Sequence, residues 1–368
     1  MSKENSILNL PALLSQINSP VSISIEPYTL HFRRAAKTSR GVYRTKQIYY
    51  LRMQSSLYTE QVGIGECAPM PQLSCDDLPE YPAILQGLIA SLQEAPKDFD
   101  PERLRPYPSI AFGITTLLNS FIAAQQLPNS TSAEERALPF CNTPFTQGEV
   151  GITINGLIWM GDKRYMYEQI REKLELGFKC LKLKIGGIDF QEELELLRYI
   201  RQHFSPEEVE LRVDANGAFA PKEALEKLKR LSDFHLHSIE QPIPASDNWE
   251  VLATLTEASP LAIALDEELI GIHTRERKAK LLDEGKPHFI ILKPSLHSGV
   301  DEWIELAEER GIGWWATSAL ESNVGLSAIA QWVSQYPINR AQGLGTGALY
   351  LNNRPSSLRL EGNQLFFF

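Results

Sequence analysis

Short runs of β-forming residues alternate with helical segments from residue 151 to residue 349. Segments such as PKEALEKLKRLSDF and VDEWIELAEERG repeat apolar positions with the period of a helix. The β-rich runs are GITINGLIW (151–159), KCLKLKI (179–185), ELRVDAN (210–216), HSIEQPI (237–243), LAIALDE (261–267), FIILKPS (289–295), GIGWWATS (311–318) and AQGLGTGAL (341–349). Eight strands that alternate with helices predict a parallel sheet closed into a (β/α)8-type barrel.

The first third of the chain follows a different pattern. VSISIEPYTLHF and QIYYLRMQSS predict an antiparallel meander, and helices are expected after it. The apolar stretch at 109–124 is too short and too rich in hydroxyl groups to span a bilayer, so it predicts a buried helix. We therefore expect an α/β protein with an N-terminal α+β domain over residues 1–130 and a barrel over 131–350. Residues 351–368 are expected to add a strand and to return to the N-terminal domain.

Charged side chains recur near the C-terminal ends of five consecutive predicted strands. They are Lys184, Asp214, Glu240, Asp266 and Lys293, separated by 26 to 30 residues. In a barrel these strand ends form one face, and active sites are built there from residues of successive strands. Packing alone does not explain five charges in phase, so we expect the five side chains to converge.

Two lysines lie inside the second predicted strand, in CLKLKIGG. Lys182 and Lys184 share a face, because alternate residues of a strand point the same way. An isolated K-x-K is more often an exposed strand face, but here carboxylates follow on the next three strands. Mutual repulsion and partial burial are expected to lower the pKa of these lysines, as a lysine general base requires. Lys293 is expected to face them across the barrel mouth.

The three carboxylates predict a metal site. Asp214, Glu240 and Asp266 repel one another unless a cation neutralises them, and oxygen ligands favour Mg²⁺ over Zn²⁺, with Mn²⁺ as a substitute. A metal beside a lysine base suits removal of a proton next to a carboxylate, because the metal stabilises the enediolate that forms. A salt bridge or a helix cap is the commoner role of a single carboxylate. The metal site is favoured here because the three carboxylates recur at the same point of three consecutive strands.

The overall charge limits the partners of this chain. It has 36 basic and 46 acidic residues and a net charge of −10, without a basic stripe typical of nucleic-acid binding. An anionic small-molecule substrate must therefore be held by a local positive site. No signal peptide or membrane span is recognised, and the four cysteines have no C-x-x-C spacing. We expect a cytoplasmic protein with reduced thiols and no nucleic-acid or membrane partner. Whether the chain forms a homo-oligomer is left open by the sequence.

Several of these motifs resemble the enolase superfamily, in its muconate-lactonizing-enzyme-like subgroup. The motifs are LKLKIGG, RVDANGAF, SIEQPI, ALDEEL and IILKPS, while GIGECAPMP is similar to that family's loop over the active site. ITINGLIWMGD, PSIAFGITTLL and TSALESNVGLSAIA are most similar to the o-succinylbenzoate synthases of the subgroup. The resemblance covers nearly the whole chain and implies a modified TIM barrel with an N-terminal capping domain.

The resemblance also implies a reaction. Lys184 would remove the proton α to the ring carboxylate of 2-succinyl-6-hydroxy-2,4-cyclohexadiene-1-carboxylate and then protonate the departing hydroxyl. Loss of water would give o-succinylbenzoate, a step of menaquinone biosynthesis. Asp214, Glu240 and Asp266 would bind Mg²⁺. Lys293 would stabilise the intermediate from the opposite side by its charge and a cation–π contact.

Other residues are expected to contact the substrate. By the same resemblance, Lys182 would hold substrate carboxylate oxygens and tune Lys184. Ser318 and the backbone of Gly343 and Gly345, in the segment GLGTG, are candidates for binding the succinyl group. Glycine suits this role because it allows a close approach to an anion.

Three more polar residues are expected behind the metal ligands. Asn216 and Glu267 would support the ligands, and direct ligation by either is the alternative. Arg212 shares a strand face with Asp214, so it would support that carboxylate or form a structural ion pair instead.

Related and unrelated functions compete with this interpretation. An N-succinyl or N-acylamino acid racemase or a dipeptide epimerase of the same superfamily would use both lysines as bases, with the same metal. Dipeptide epimerases carry D-x-D on the last strand, where this chain has GLGTG, and mandelate-type relatives need a histidine that GWWATS lacks. A non-catalytic metal-binding barrel is disfavoured by the retained lysines, and a Schiff-base aldolase by the three carboxylates.

Overall fold

The N-terminal part of the chain forms an antiparallel sheet in the computed structural model, which describes residues 6–38, 41–55, 61–126, 138–337 and 339–368. The strands are β1 (Val21–Thr38), β2 (Gly41–Ser55) and β3 (Val62–Cys67), in that order across the sheet. The helices are α1 (Leu10–Ser15), α2 (Tyr81–Glu94) and α3 (Pro108–Gln125), with 3-10 turns at Pro96–Asp98 and Pro101–Leu104. The meander followed by helices is as predicted.

Helix α3 is buried along most of its length, which confirms the buried helix predicted at 109–124. Glycines allow it to lie directly on β3. A Cβ atom added to Gly65 would be 2.2 Å from the carbonyl oxygen of Gly113 and 2.8 Å from the Cβ of Leu117. Backbones approach this closely only where no side chain intervenes. The contact builds the core of the N-terminal part.

The rest of the chain alternates strands and helices. Its first strands are β4 (Ile152–Thr153), β5 (Gly156–Ile158), β6 (Cys180–Lys184), β7 (Glu210–Asp214), β8 (Ser238–Glu240), β9 (Ile263–Leu265), β10 (Phe289–Leu292) and β11 (Gly313–Ala316). The helices are α4 (Lys163–Glu175), α5 (Phe190–His203), α6 (Pro221–Ser232), α7 (Trp249–Ala258), α8 (Arg275–Gly285), α9 (Val300–Glu308) and α10 (Asn323–Val333), with a 3-10 turn at Glu267–Leu269. Strands β5 to β11 pair in sequence order within the described residues and form a parallel sheet of seven strands.

Apolar residues of this sheet and of the surrounding helices form one large core. Alternate strand residues, such as Leu181 and Leu183 of β6, belong to that core, and this leaves Lys182 and Lys184 for the barrel interior. Side-chain caps begin several of the helices: Asp162 accepts a hydrogen bond from the backbone of α4, as Asp189 does from that of α5. The helix boundaries therefore follow from local sequence.

The eighth predicted strand is shorter than expected. Gln342 and Gly343 make isolated parallel bridges to Ile154 and Thr317, and turns follow over residues 345–348. The amide of Gly343 donates to the carbonyl of Ala316 at 2.8 Å, so these two residues still join the last strand to the first. The glycines of GLGTG favour turns over an extended strand, because they have no side chain to pack on the sheet.

The C-terminal residues form a hairpin of β12 (Leu358–Glu361) and β13 (Gln364–Phe367). The hairpin pairs with β4, just before the first strand of the parallel sheet. Contact with the N-terminal sheet comes earlier, where Tyr350 bridges Phe32 of β1. It continues into the predicted segment 351–368: the amide of Leu351 donates to the carbonyl of His31 at 2.8 Å, and Asn352 Oδ1 accepts from the amide of His31 at 2.9 Å. The first residues of that segment therefore contact the N-terminal sheet, whereas β12 and β13 add to the barrel part. The predicted boundary at residue 130 lies outside the described residues.

No helix in the described part of the chain is long and apolar enough to cross a membrane.

The contact between β3 and α3 can be tested with one methyl group. We expect Gly65→Ala to lower the free energy of unfolding by about 3 kcal/mol, because the new Cβ overlaps backbone atoms of α3 that cannot move independently. Urea unfolding followed by circular dichroism measures this change. Gly87→Ala in α2 is the matched control: its Cβ would meet nothing within 4 Å, so stability should stay the same or rise slightly. Equal stability of the two variants would contradict the close contact.

Candidate active site

The strand register places the predicted residues side by side. Lys184 of β6 pairs with Asp214 of β7, and Asp214 pairs with Glu240 of β8. Glu240 pairs in turn with Ala264 of β9, and Asp266 follows two residues later on the same strand end. Parallel strands in register bring their C-terminal ends to one edge, so the sequence spacing becomes a single cluster.

Lysine ammonium groups lie among the carboxylates of this cluster. Lys182 Nζ is 2.7 Å from Glu240 Oε2 and 3.0 Å from Asp214 Oδ2. Lys184 Nζ donates to Asp214 Oδ2 at 2.7 Å, and Lys293 Nζ donates to Asp266 Oδ2. All of these side chains are buried or nearly so, which is tolerable only because opposite charges are in contact.

The pKa shifts run against the expectation from the sequence. Burial alone would lower the pKa of Lys182, but the nearby charges of Asp214 and Glu240 raise it above its ordinary value. Burial also opposes the charged form of Lys293, whose pKa is nevertheless raised by Asp266. The prediction of a lowered pKa is therefore wrong for Lys182. It assumed a metal over the carboxylates, whereas here the carboxylates pair directly with the ammonium groups.

Two carboxylate oxygens of the cluster fit a cation. Glu240 Oε1 and Asp266 Oδ1 are buried and accept no hydrogen bond from any described residue. A buried anionic oxygen without a partner is costly, and hard divalent cations prefer such oxygens. Yet the described ranges contain no group of three or more His, Cys, Asp or Glu residues that could hold a metal. The lysine ammonium groups already pair with the carboxylates, so a metal bound by all three would require the ammonium groups to shift.

Asn216 and Glu267 lie next to the cluster, as predicted for supporting residues. Asn216 accepts a hydrogen bond from Lys184 Nζ at 2.8 Å and donates one to Glu267 Oε1 at 2.9 Å. The backbone of Asn216 has a φ of 44°, in the left-handed region, where asparagine is tolerated better than most residues. This sharp turn directs the amide back towards the strand end.

Arg212 has other partners. Its guanidinium donates to Glu210 at 2.7 Å and to the carbonyl of Ala341 at 2.9 Å, and it lies 4.3 Å from the ring centre of Trp315. These contacts favour the alternative of a structural ion pair over support of Asp214. The side chain stabilises the floor of the barrel below the charged cluster.

Most of the predicted residues line one cavity. Lys182, Lys184 and Lys293 line it together with Asn216, Ser318, Gly343 and Gly345. Apolar residues complete the wall: Met70, Leu73, Leu157, Trp159, Leu296, Ala319 and Leu320. Met70 and Leu73 come from the N-terminal part, at the end of GIGECAPMP and just after it, so this segment does close over the site.

The hydroxyl of Ser318 is already used inside the protein. It donates to Glu321 Oε2 at 2.6 Å and accepts from the amide of Leu320 at 3.0 Å. The other oxygen of Glu321 accepts from Ser295, which follows Lys293 by two residues. Glu321 thus connects the loops after β10 and β11, and its own side chain is fully buried.

Two residues of the N-terminal sheet support the loop after β11 and were missed from the sequence. Lys46 Nζ, which is buried, donates to the carbonyls of Ala319 at 2.8 Å and Leu320 at 3.1 Å. Glu66 accepts from the amide of Ser322 and from the amide of Gly325, each at 2.7 Å. Both residues are more than 250 positions away in sequence, so no local pattern could connect them with this loop.

Three further cavity residues were also missed. Asn155, Thr317 and Thr346 line the same cavity as the lysines. Thr317 is near the end of the seventh predicted strand, whereas Asn155 is in the middle of the first and Thr346 is in the segment GLGTG. The strand-end criterion could have found Thr317 alone, and short uncharged side chains do not stand out in a sequence as the lysines and carboxylates do.

Comparison with known proteins now adds to this geometry. Residues 165–357 match the family model described as "Enolase C-terminal domain-like". The o-succinylbenzoate synthase of Desulfotalea psychrophila (strain LSv54 / DSM 12343) is 46% identical over 94% of this chain and 99% of that protein. This chain belongs to the o-succinylbenzoate synthase family of the enolase superfamily.

A solved structure of this family supports the same assignment. The crystal structure of MenC from Desulfotalea psychrophila LSv54 covers 95% of this chain and 100% of its own, with a TM-score of 0.76 and 40% identity. A more distant o-succinylbenzoate synthase, from Thermosynechococcus vestitus (strain NIES-2133 / IAM M-273 / BP-1), is 28% identical over 84% of this chain and 87% of its own. The enolase-superfamily fold inferred from the sequence is confirmed.

The contact between Glu66 and α10 is testable through stability. We expect Glu66→Ala to lower the free energy of unfolding by about 3 kcal/mol, because buried donors at the start of α10 lose their charged acceptor. Glu66→Gln keeps one acceptor oxygen and should cost less. Urea unfolding measures both. The control Glu168→Ala removes an exposed carboxylate whose ion pair with Arg164 contributes little. A Glu66→Ala protein as stable as this control would contradict the role.

Proposed function

We propose that the protein dehydrates 2-succinyl-6-hydroxy-2,4-cyclohexadiene-1-carboxylate to o-succinylbenzoate, a step in menaquinone biosynthesis. The observation that carries the proposal is the cavity in which Lys182, Lys184 and Lys293 meet beside three buried carboxylates. Membership of the o-succinylbenzoate synthase family gives the substrate. An anionic substrate suits this cavity because its positive groups are local, although the whole chain is acidic.

Lys184 has the base role in this reaction. Its ammonium is held by Asp214 and Asn216 at the wall of the cavity, so the Nζ position is fixed relative to a bound ring. As the neutral amine, Lys184 takes the proton from the ring carbon that carries the carboxylate, and the electron pair is delocalised onto that carboxylate. The pair then forms the new ring double bond as the hydroxyl at the neighbouring carbon leaves with that proton as water, and the ring becomes aromatic.

The other two lysines stabilise negative charge. Lys293 reaches the same cavity from β10, four strands away from Lys184 in the sheet order, and faces the ring from another side. Lys182 lies two residues before Lys184, on the same face of β6. There its charge neutralises Asp214 and Glu240 and is presented to the substrate carboxylate. Fixed charges that need no rearrangement are an effective form of transition-state stabilisation.

Asp214, Glu240 and Asp266 would hold a divalent cation, Mg²⁺ first and Mn²⁺ as a substitute. Glu240 Oε1 and Asp266 Oδ1, which are buried and accept no hydrogen bond within the described ranges, support this assignment. Such a bound cation would neutralise the carboxylates, release the lysines from them and stabilise charge on the substrate carboxylate. Asn216 and Glu267 would keep the ligands oriented, as residues behind metal ligands generally do. We also propose the N-terminal domain, residues 1–130, as the cap of this site.

Racemisation of N-succinyl amino acids is the second candidate. Lys184 and Lys293 line one cavity, as a two-base reaction requires. The N-succinylamino acid racemase of Thermus thermophilus is 35% identical, but over only 42% of this chain and 40% of its own. Dehydration therefore has the stronger support.

The base is tested by ultraviolet assay of o-succinylbenzoate formation. Lys184→Ala should reduce kcat by about 1000-fold or more, because alanine has no group that can take the proton from the ring carbon. Lys280→Ala, on the exposed side of α8, is the control and should keep full activity. Turnover of Lys184→Ala at the rate of the control would exclude Lys184 as base. Racemisation of N-succinyl amino acids without dehydration would instead favour the second candidate.

Metal dependence is tested by activity and, independently of turnover, by metal binding. EDTA should abolish activity, and added Mg²⁺ or Mn²⁺ should restore it. Titration calorimetry of the metal-free protein should show Mg²⁺ binding that Glu240→Gln weakens at least about tenfold, because a charged ligand becomes neutral. Full activity in EDTA, or equal Mg²⁺ affinity of both proteins, would contradict the carboxylate site.

A further inference from the structure

Three buried polar atoms in the cavity have no hydrogen-bond partner among the described residues: Asn155 Oδ1, Thr317 Oγ1 and Thr346 Oγ1. Their residues are 3%, 9% and 3% exposed. A buried polar group without a partner costs free energy, and folded proteins keep few of them. Three on the wall of one cavity indicate that the wall is built for a polar group of the ligand.

The backbone holds these three residues close together. Ile154 bridges Gln342, and Thr317 bridges Gly343, so the first strand, the last strand and the segment with Thr346 are joined side by side. A Cβ on Gly343 would lie only 2.5 Å from Thr317 Oγ1. The glycine is therefore needed for the threonine hydroxyl to keep its present position at the cavity wall.

We infer that Thr317, Thr346 and Asn155 bind the carboxylate at the end of the substrate's succinyl chain and thereby determine specificity. This inference rests on the proposed dehydration. A threonine hydroxyl can donate to a carboxylate oxygen, and such charge-assisted bonds are strong when they are buried. The amide of Asn155 offers its nitrogen for the same purpose after a half-turn about its terminal bond.

The other polar groups of the cavity have different roles. The Ser318 hydroxyl already donates to Glu321. The three cavity lysines lie beside Asp214, Glu240 and Asp266, where the proposed reaction places the ring carboxylate. The two carboxylates of the substrate therefore contact different groups. The ring carboxylate contacts ammonium groups at the strand ends, and the chain carboxylate contacts neutral hydroxyl and amide groups at the segment that closes the barrel. A ligand with one acid next to a ring and a second acid on a flexible chain fits both.

The test compares two ligands that differ only at the end of the chain. One is o-succinylbenzoate, and the other is 2-butanoylbenzoate, in which a methyl group replaces the chain carboxylate. Binding of each to the full-length protein with Mg²⁺ is measured by titration calorimetry. Thr317→Val and Thr346→Val remove the hydroxyl at nearly constant shape. Each should weaken o-succinylbenzoate binding about tenfold and leave 2-butanoylbenzoate within about twofold.

Two sets of controls separate a binding role from a structural one. Thr256→Val removes an equally buried hydroxyl that already bonds within α7, and both ligands should bind to it as to the parent protein. Thr317→Ser and Thr346→Ser keep the hydroxyl and should restore most of the o-succinylbenzoate affinity. In steady-state assays the valine variants should raise KM about tenfold with kcat within about twofold, since the hydroxyls are remote from the reacting carbon.

Unchanged affinity of both valine variants for o-succinylbenzoate would overturn the inference, as would equal losses for the two ligands. Failure of the proposed function is a separate result, because it shows as absence of dehydration by the parent protein. If the parent protein binds both ligands with the same affinity, the chain carboxylate makes no contact here and the inference also fails.

Discussion

The rest of the site depends on one buried ion-pair contact, in which the ammonium group of Lys182 lies between Asp214 and Glu240. Each of these charges is expensive to bury alone, and their mutual contact offsets that cost. The contact also fixes how β6, β7 and β8 line up, since any slip by one residue would turn the side chains to the opposite face of the sheet. With this register set, Lys184 must stand beside Asp214.

In the proposed function, the ammonium groups and a divalent cation would be alternative partners of the same carboxylate oxygens. Without a metal, the lysines neutralise the carboxylates and keep a raised pKa, as for Lys182 and Lys293. Both arrangements keep the cluster close to electrical balance inside a low-dielectric barrel. Glu240 Oε1 and Asp266 Oδ1 accept no hydrogen bond from the described residues, and they are the observation that supports the proposed cation.

The N-terminal sheet takes part in the site from behind the wall. Lys46 bonds to the carbonyls of Ala319 and Leu320, which line the cavity, and Glu66 bonds to the first turn of α10. Burial lowers the pKa of Lys46 and raises that of Glu66, so both charges depend on their partners in the barrel part. The cavity wall therefore has its shape only when the two parts of the chain are docked.

The sequence by itself determined the alternation of strands and helices, the charged residues at the strand ends and the family. These are local or periodic properties: a repeat of about 26 residues survives in the sequence because each strand–helix unit repeats the same geometry. Tertiary structure decided what the charges contact. The raised pKa of Lys182, the hydrogen bond from Ser318 to Glu321 and the support from Lys46 and Glu66 all depend on the packing of the folded chain. The same is true of the Thr317 and Thr346 hydroxyls, which have no hydrogen-bond partner in the part of the chain that the structure describes. Burial and pairing energies are set by neighbours in space, and only the closed barrel with its docked cap defines those neighbours.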